Sequence, residues 1–99
     1  MSIRYSPRAL ADLREISEYL EPKSARGAAA VLQRIELAVK VIERIRLVGR
    51  AVKARTGVRV LPVGKYPNRI FFIGTSDGTT ILHIRHTARR APSRQDLED

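Results

Sequence analysis

The chain is 99 residues long, 43 % hydrophobic and 29 % charged, and contains no cysteine. That is enough for a single modest core, burying on the order of 65 % of the surface of the unfolded chain, and it excludes large enzyme folds, a disulfide framework, a thiolate nucleophile and cysteine-ligated zinc. The net charge of +9 arises from 19 Lys and Arg against 10 Asp and Glu, and 15 of the 19 cations are Arg, the side chain that forks onto carboxylate and phosphate.

Residues 1–99 are expected to form one domain. At its start Ile3 and Tyr5 alternate with Ser2 and Arg4, the period of a short strand. Ser6-Pro7 follows, a preferred N-cap ahead of a proline tolerated at the first helical position. Leu10, Leu13, Ile16 and Leu20, widened by Ala9 and Tyr19, give a helical stripe, with Asp12, Arg14, Glu15 and Glu18 expected to face outward. Glu21-Pro22 ends this helix and Ser24 caps a second. In the second helix Ala28, Val31, Leu32, Ile35, Ala38, Val39, Ile42 and Ile45 form the apolar face, flanked by Leu37, Val41 and Val48, with Gly49 as the expected stop. Such a short connection implies an antiparallel helical hairpin.

The period changes in the second half. Val58–Val63 reads as a strand whose Pro62 suits an edge or a bulge. Lys65-Tyr66-Pro67-Asn68 is a turn, and Arg69–Ile73 is nearly continuous apolar, as in a covered central strand. Ser76-Asp77-Gly78 turns the chain into a last strand, Thr80–His86. The order β-α-α-β-β-β predicts an α+β domain, a helical hairpin on a mostly antiparallel sheet of three to four strands. The longest purely apolar run is residues 28–32, too short for a signal core or a membrane span, so the expected location is the cytoplasm.

The charge is unevenly placed. Residues 1–43 carry a net +1, residues 44–94 a net +11 with Asp77 as their sole acid, and residues 95–99 a net −3. That last segment is expected to be a poorly ordered acidic tail.

Familiar catalytic signatures are missing: there is no glycine-rich phosphate loop, HExxH or GxSxG. Carboxylate pairs occur only at helical spacing with Arg, as on a solvated helix face. His83 and His86, three apart in a strand, point to opposite faces and cannot share a metal ion, so no metal site is expected. His83 is read as structural. What remains is a basic surface of Arg50, Arg59, Arg69, Arg85, His86, Arg89 and Arg90, of which hairpin pairing would gather Arg59, Arg69, Arg85 and His86 on one side. A sheet covered by helices on one face leaves the other free, where cations would bind an anionic partner, either nucleic acid or an acidic protein segment.

Taken together, the pattern resembles the RelE/ParE superfamily of bacterial type II toxin–antitoxin systems, most closely its ParE branch. The matching stretches are Tyr5-Ser6-Pro7-Arg8-Ala9-Leu10-Ala11-Asp12-Leu13 with Ile16 and Tyr19, Gly49-Arg50, Val58–Val63, Tyr66–Phe72 and Ile81–Arg90. They span roughly residues 3–91 in the family's order; Asn68 and Phe72 stand where members often carry Tyr. The resemblance implies a toxin with no cofactor, neutralised by an acidic cognate antitoxin that folds on binding. Its ParE branch implies inhibition of DNA gyrase through the gyrase–DNA complex, without catalysis and with the C-terminal segment touching the target. Its RelE branch implies a ribosome-dependent mRNA endoribonuclease. That chemistry needs a base, an acid and a stacking ring, whereas the last aromatic here is Phe72. A third reading is a non-toxic basic nucleic-acid-binding module. The ParE reading is the one expected.

Overall fold

The computed structural model describes residues 2–86 and Leu97. Its elements are β1 (Ser2–Tyr5), α1 (Pro7–Leu20), α2 (Ala25–Arg44), β2 (Arg50–Ala51), β3 (Val58–Pro62), β4 (Asn68–Thr75) and β5 (Gly78–His86). They form the expected α+β architecture with one addition. The two-residue strand β2 makes the sheet five-stranded, in the order β1-β5-β4-β3-β2. Among the described residues only the β1–β5 pair is parallel. Arg50 pairs with Val60 and Ala51 with Arg59, and the Val52 N–H donates to the Val58 carbonyl. The Val58–Val63 segment is therefore not an open edge over its first half, and Pro62 lies beyond the end of β2.

Both helices start where the caps predict. The Ser6 hydroxyl accepts from the Ala9 N–H at 3.0 Å, and Pro7 opens the helix. Ser6 also ties the helix to the sheet: its hydroxyl donates to the Leu82 carbonyl at 2.8 Å and its N–H to the Ile81 carbonyl at 2.9 Å. Ser24 accepts from the Gly27 N–H at 2.9 Å.

The second helix ends at Arg44, earlier than Gly49 suggested, because Ile45 is already extended. Gly49 is needed for a different reason. Its φ is +76°, and a Cβ there would lie 2.1 Å from the Val60 carbonyl oxygen. The close approach of the chain to β3 as it enters β2 requires this glycine. Gly49→Ala is expected to cost at least about 2 kcal/mol, from the positive φ together with the clash against the Val60 carbonyl, read as a lowered urea midpoint with an unchanged slope.

Two cores flank the sheet. On the helix side Val31, Ile35, Val39 and Ile42 of α2, with Ala9 of α1, pack on Val63, Ile70, Phe72, Ile81 and Ile84. On the far side Val58, Val60, Phe71 and Leu82 are buried together with Leu97. The expectation of a free second face is thus corrected: three strands contribute an apolar floor there, and Leu97, from the expected acidic tail, covers it at 0 % exposure. The rest of residues 95–99 lies outside the described residues.

A register shift divides the β5 side chains between the two cores. Phe71 pairs with His83 but Phe72 with Ile81, so Leu82 has no partner in β4. Leu82 and His83 therefore both lie beside Phe71, while Ile81 and Ile84 face the helices. Simple alternation would put His83 on the face opposite Leu82; the extra residue of the bulge removes that alternation.

Tyr5 packs against the main core. Burial, and secondarily the Glu36 carboxylate, push its phenol above the ordinary value of 10.0. The folded state then holds this proton where the unfolded state releases it. Stability is expected to be insensitive to Tyr5 below about pH 10 and to fall as pH rises from there through the raised folded pKa. Tyr5→Phe should abolish that alkaline loss in denaturation curves taken across this range.

Candidate functional site

One polar side chain that the sequence places on the outside is buried against the sheet. Asp12 is 3 % exposed. Its Oδ2 accepts from the Ile84 N–H at 2.8 Å and meets His83 Nδ1 at 2.6 Å, and Arg8 Nε donates to its Oδ1 at 3.2 Å. The parallel partner β1 stops opposite Ile81. Beyond that point β5 has no strand on this side among the described residues, and the Asp12 carboxylate supplies the acceptor a strand would have offered Ile84. His83 stacks on Phe71 with ring centroids 6.0 Å apart, so the imidazole is held between a carboxylate and a ring. Its structural reading agrees with this environment.

The basic residues are distributed rather than gathered. Arg59 donates Nε to the Val48 carbonyl at 3.0 Å and Nη2 to the carbonyls of Leu47 and Gly49 at 2.8 and 2.9 Å. Three carbonyls past the end of α2 are thereby satisfied without helix, which explains how the chain leaves the helix there. Arg69 and Arg85 are cross-strand partners and share the far face with Phe71. Arg85 is 8 % exposed, so a cation of that face is buried, contrary to the sequence expectation. Arg50, opposite Val60, is exposed on the same face. His86 pairs with Asn68 and lies on the helix side. Arg85 and His86 are adjacent in sequence but separated by the thickness of the sheet. The structure therefore brings Arg69 and Arg85 together and leaves Arg59 and His86 elsewhere. Arg89 and Arg90 lie outside the described residues.

On the helix side, a groove of about 480 Å³ runs between α1 and the end of the sheet. Ile16, Leu20 and Ile84 give it an apolar lining, with Tyr19 and Tyr66 as rings and Glu15 and His86 as ionisable groups. An apolar side chain fits such a lining better than a phosphate does. Among the described residues no group of three or more His, Cys, Asp and Glu side chains could hold a metal ion, and no helix is long and apolar enough to cross a membrane.

Residues 3–91 match the family described as ParE toxin of type II toxin-antitoxin system, parDE. The chain belongs to the ParE toxin family. Among solved structures, this ParE family chain is similar to one from the chromosomal ParDE TA system of P. aeruginosa. The two are 26 % identical with a TM-score of 0.78, over 87 % of this chain and 95 % of the other. No curated protein sequence matches significantly. The match to the ParE family covers every element that carries a candidate residue of the described part: the Ser6 cap, Asp12, Arg50, Arg59, Arg69, Arg85 and His86.

Proposed function

We propose that this ParE family protein is a toxin that inhibits DNA gyrase by binding the gyrase–DNA complex, without catalysis of its own, and that a cognate antitoxin neutralises it. The family match over residues 3–91 carries this reading. The placement of the basic residues supports binding over cleavage. RNA cleavage through the 2′-hydroxyl needs a phosphate clamp and a proton carrier around one phosphate. Here the Arg69–Arg85 pair and His86 occupy opposite faces of the sheet.

A partner with both acidic and apolar groups suits the remaining surface. Leu37, Val41, Ile45 and Leu47 are exposed at 45, 39, 56 and 76 % along the outside of α2 and just past it. An amphipathic segment that folds on binding would cover such a stripe, as expected of the antitoxin in this reading.

Induced expression tests the proposal. The gyrase reading predicts growth arrest with a DNA-damage response, relieved by co-expression of the antitoxin encoded beside it. Arrest with cuts in translated mRNA and no DNA-damage response would favour the endoribonuclease. No arrest, with steeply salt-dependent nucleic-acid binding, would favour the basic binding module. Arg69→Glu, at a partly exposed position of the far face, is expected to weaken gyrase inhibition by about tenfold or more, with the urea midpoint essentially unchanged.

A further inference from the structure

The chain reversal between α2 and β2 carries apolar side chains in solvent. Ile45 is 56 % exposed and Leu47 76 %, the most exposed large hydrophobic side chain among the described residues. A leucine exposed to that degree projects from the surface instead of lining a concavity. The reversal that presents it is held from below. The Arg59 guanidinium takes the carbonyls of Leu47, Val48 and Gly49, and the Val48 N–H donates to the Ile45 carbonyl at 3.1 Å. Arg46 Nη2 donates to the Thr75 carbonyl at 3.1 Å. The tip is thereby tied to β3 and β4, so its shape does not wait for a partner.

Cations flank the tip on both sides in sequence. Arg44 and Arg46 precede Leu47, Arg50 and Lys53 follow it, and all four are exposed. Glu43 is the sole acid between residues 37 and 76. Arg46 uses one of its five donors on Thr75, which leaves others for a partner.

We propose that this tip is a contact for duplex DNA, with Leu47 entering the minor groove as a wedge against a base step and Arg44, Arg46, Arg50 and Lys53 on the flanking phosphates. Shape and charge together choose the partner. A rigid projection needs a concave surface, and four cations need an anionic one; a DNA groove walled by phosphates is both. An apolar wedge beside Arg and Lys is how minor-groove proteins unstack and kink a duplex. A second copy of the chain fits poorly, because it would set like-charged tips against one another. The contact rests on the tip alone, whereas its use against gyrase rests on the gyrase reading. In that reading the tip touches the DNA of the gyrase–DNA complex. The surface offered to the antitoxin includes Ile45 and Leu47, so antitoxin and DNA exclude one another there.

The test titrates the full chain into a short A·T-rich duplex with a fluorophore at each end, and reads anisotropy and end-to-end energy transfer together. Wild type is expected to bind and to raise the energy transfer by kinking the duplex. Its log affinity should fall against log salt with a slope of about −3 to −4, as for four phosphate contacts. Lys53→Gln should make that slope shallower by about one and keep the kink. Leu47→Ala should keep the urea midpoint and the salt slope, lose the kink, and bind about tenfold more weakly, the worth of burying a leucine. No binding to the duplex at low salt, the result if the tip serves only a protein partner, would overturn the proposal. So would a Leu47→Ala chain that binds and kinks DNA as wild type does. A chain that kinks DNA through Leu47 yet leaves gyrase unaffected would keep the tip and refute the gyrase reading. A chain that inhibits gyrase without binding the duplex would do the reverse.

Discussion

Replacing Asp12 by Ala is expected to cost about 2–5 kcal/mol of folding stability, because two buried polar groups lose the oxygen they share. The ion pair with Arg8 contributes little of this, because that side chain is 46 % exposed and exposed pairs are worth about 0–1 kcal/mol. The loss comes from the two groups left behind. The Ile84 N–H and the His83 ring are buried, and each leans on the same carboxylate oxygen. An unsatisfied buried polar group costs about 1–3 kcal/mol. Asp12→Asn should fall between wild type and Ala, since an amide oxygen can still accept from Ile84 but carries no charge for the imidazole. Urea denaturation of the three chains measures this. A loss below about 1 kcal/mol for Ala, the worth of an ordinary surface contact, would mean the carboxylate does not join α1 to β5.

The second large effect concerns a residue that sequence reasoning assigned to the binding surface. Arg59→Ala is expected to destabilise the fold by about 2–3 kcal/mol, below the sum of its charged hydrogen bonds because the side chain is partly exposed to water. Arg59→Lys should recover little of it. An ammonium on a flexible stem cannot reproduce a planar fork that reaches the carbonyls of Leu47, Val48 and Gly49 together. A residue that simply contributed positive charge would behave otherwise, with Lys close to wild type and the urea midpoint unmoved by Ala. The two substitutions therefore separate a staple of the chain reversal from an anion contact.

Local signals made most of the fold legible. Ser6-Pro7 and Ser24 cap the helices as their chemistry requires, and the apolar runs of β4 and β5 are where the strands form. The second helix overran by a few residues because nothing local reveals that a distant Arg59 takes the carbonyls after Ile45. A two-residue strand such as β2 has no period to detect. Asp12 carries a readable sign in its spacing. Its position, three after Ala9 and four before Ile16, lies within the helical stripe, so it was a buried carboxylate in waiting for a partner that sits 71 positions away at His83.

The candidate site was legible in its charge and not in its geometry. Counting cations located the excess in the sheet half, but the bulge at Leu82 and the opposed sides of Arg85 and His86 depend on pairing, which composition does not encode. Leu97 had no sequence signal beyond being an apolar residue in an acidic stretch. Its role follows from the floor that Val58, Val60, Phe71 and Leu82 build for it.

The proposed action of this ParE family protein is binding to the gyrase–DNA complex. The most direct measurement adds the purified chain to DNA gyrase, ATP and relaxed plasmid and reads both supercoiling and cleaved DNA. Gyrase poisoning predicts less supercoiling, accumulation of a gyrase–DNA cleavage complex, and reversal of both when antitoxin is added. Unchanged supercoiling with no cleavage complex, at concentrations where the folded chain arrests growth, would contradict it.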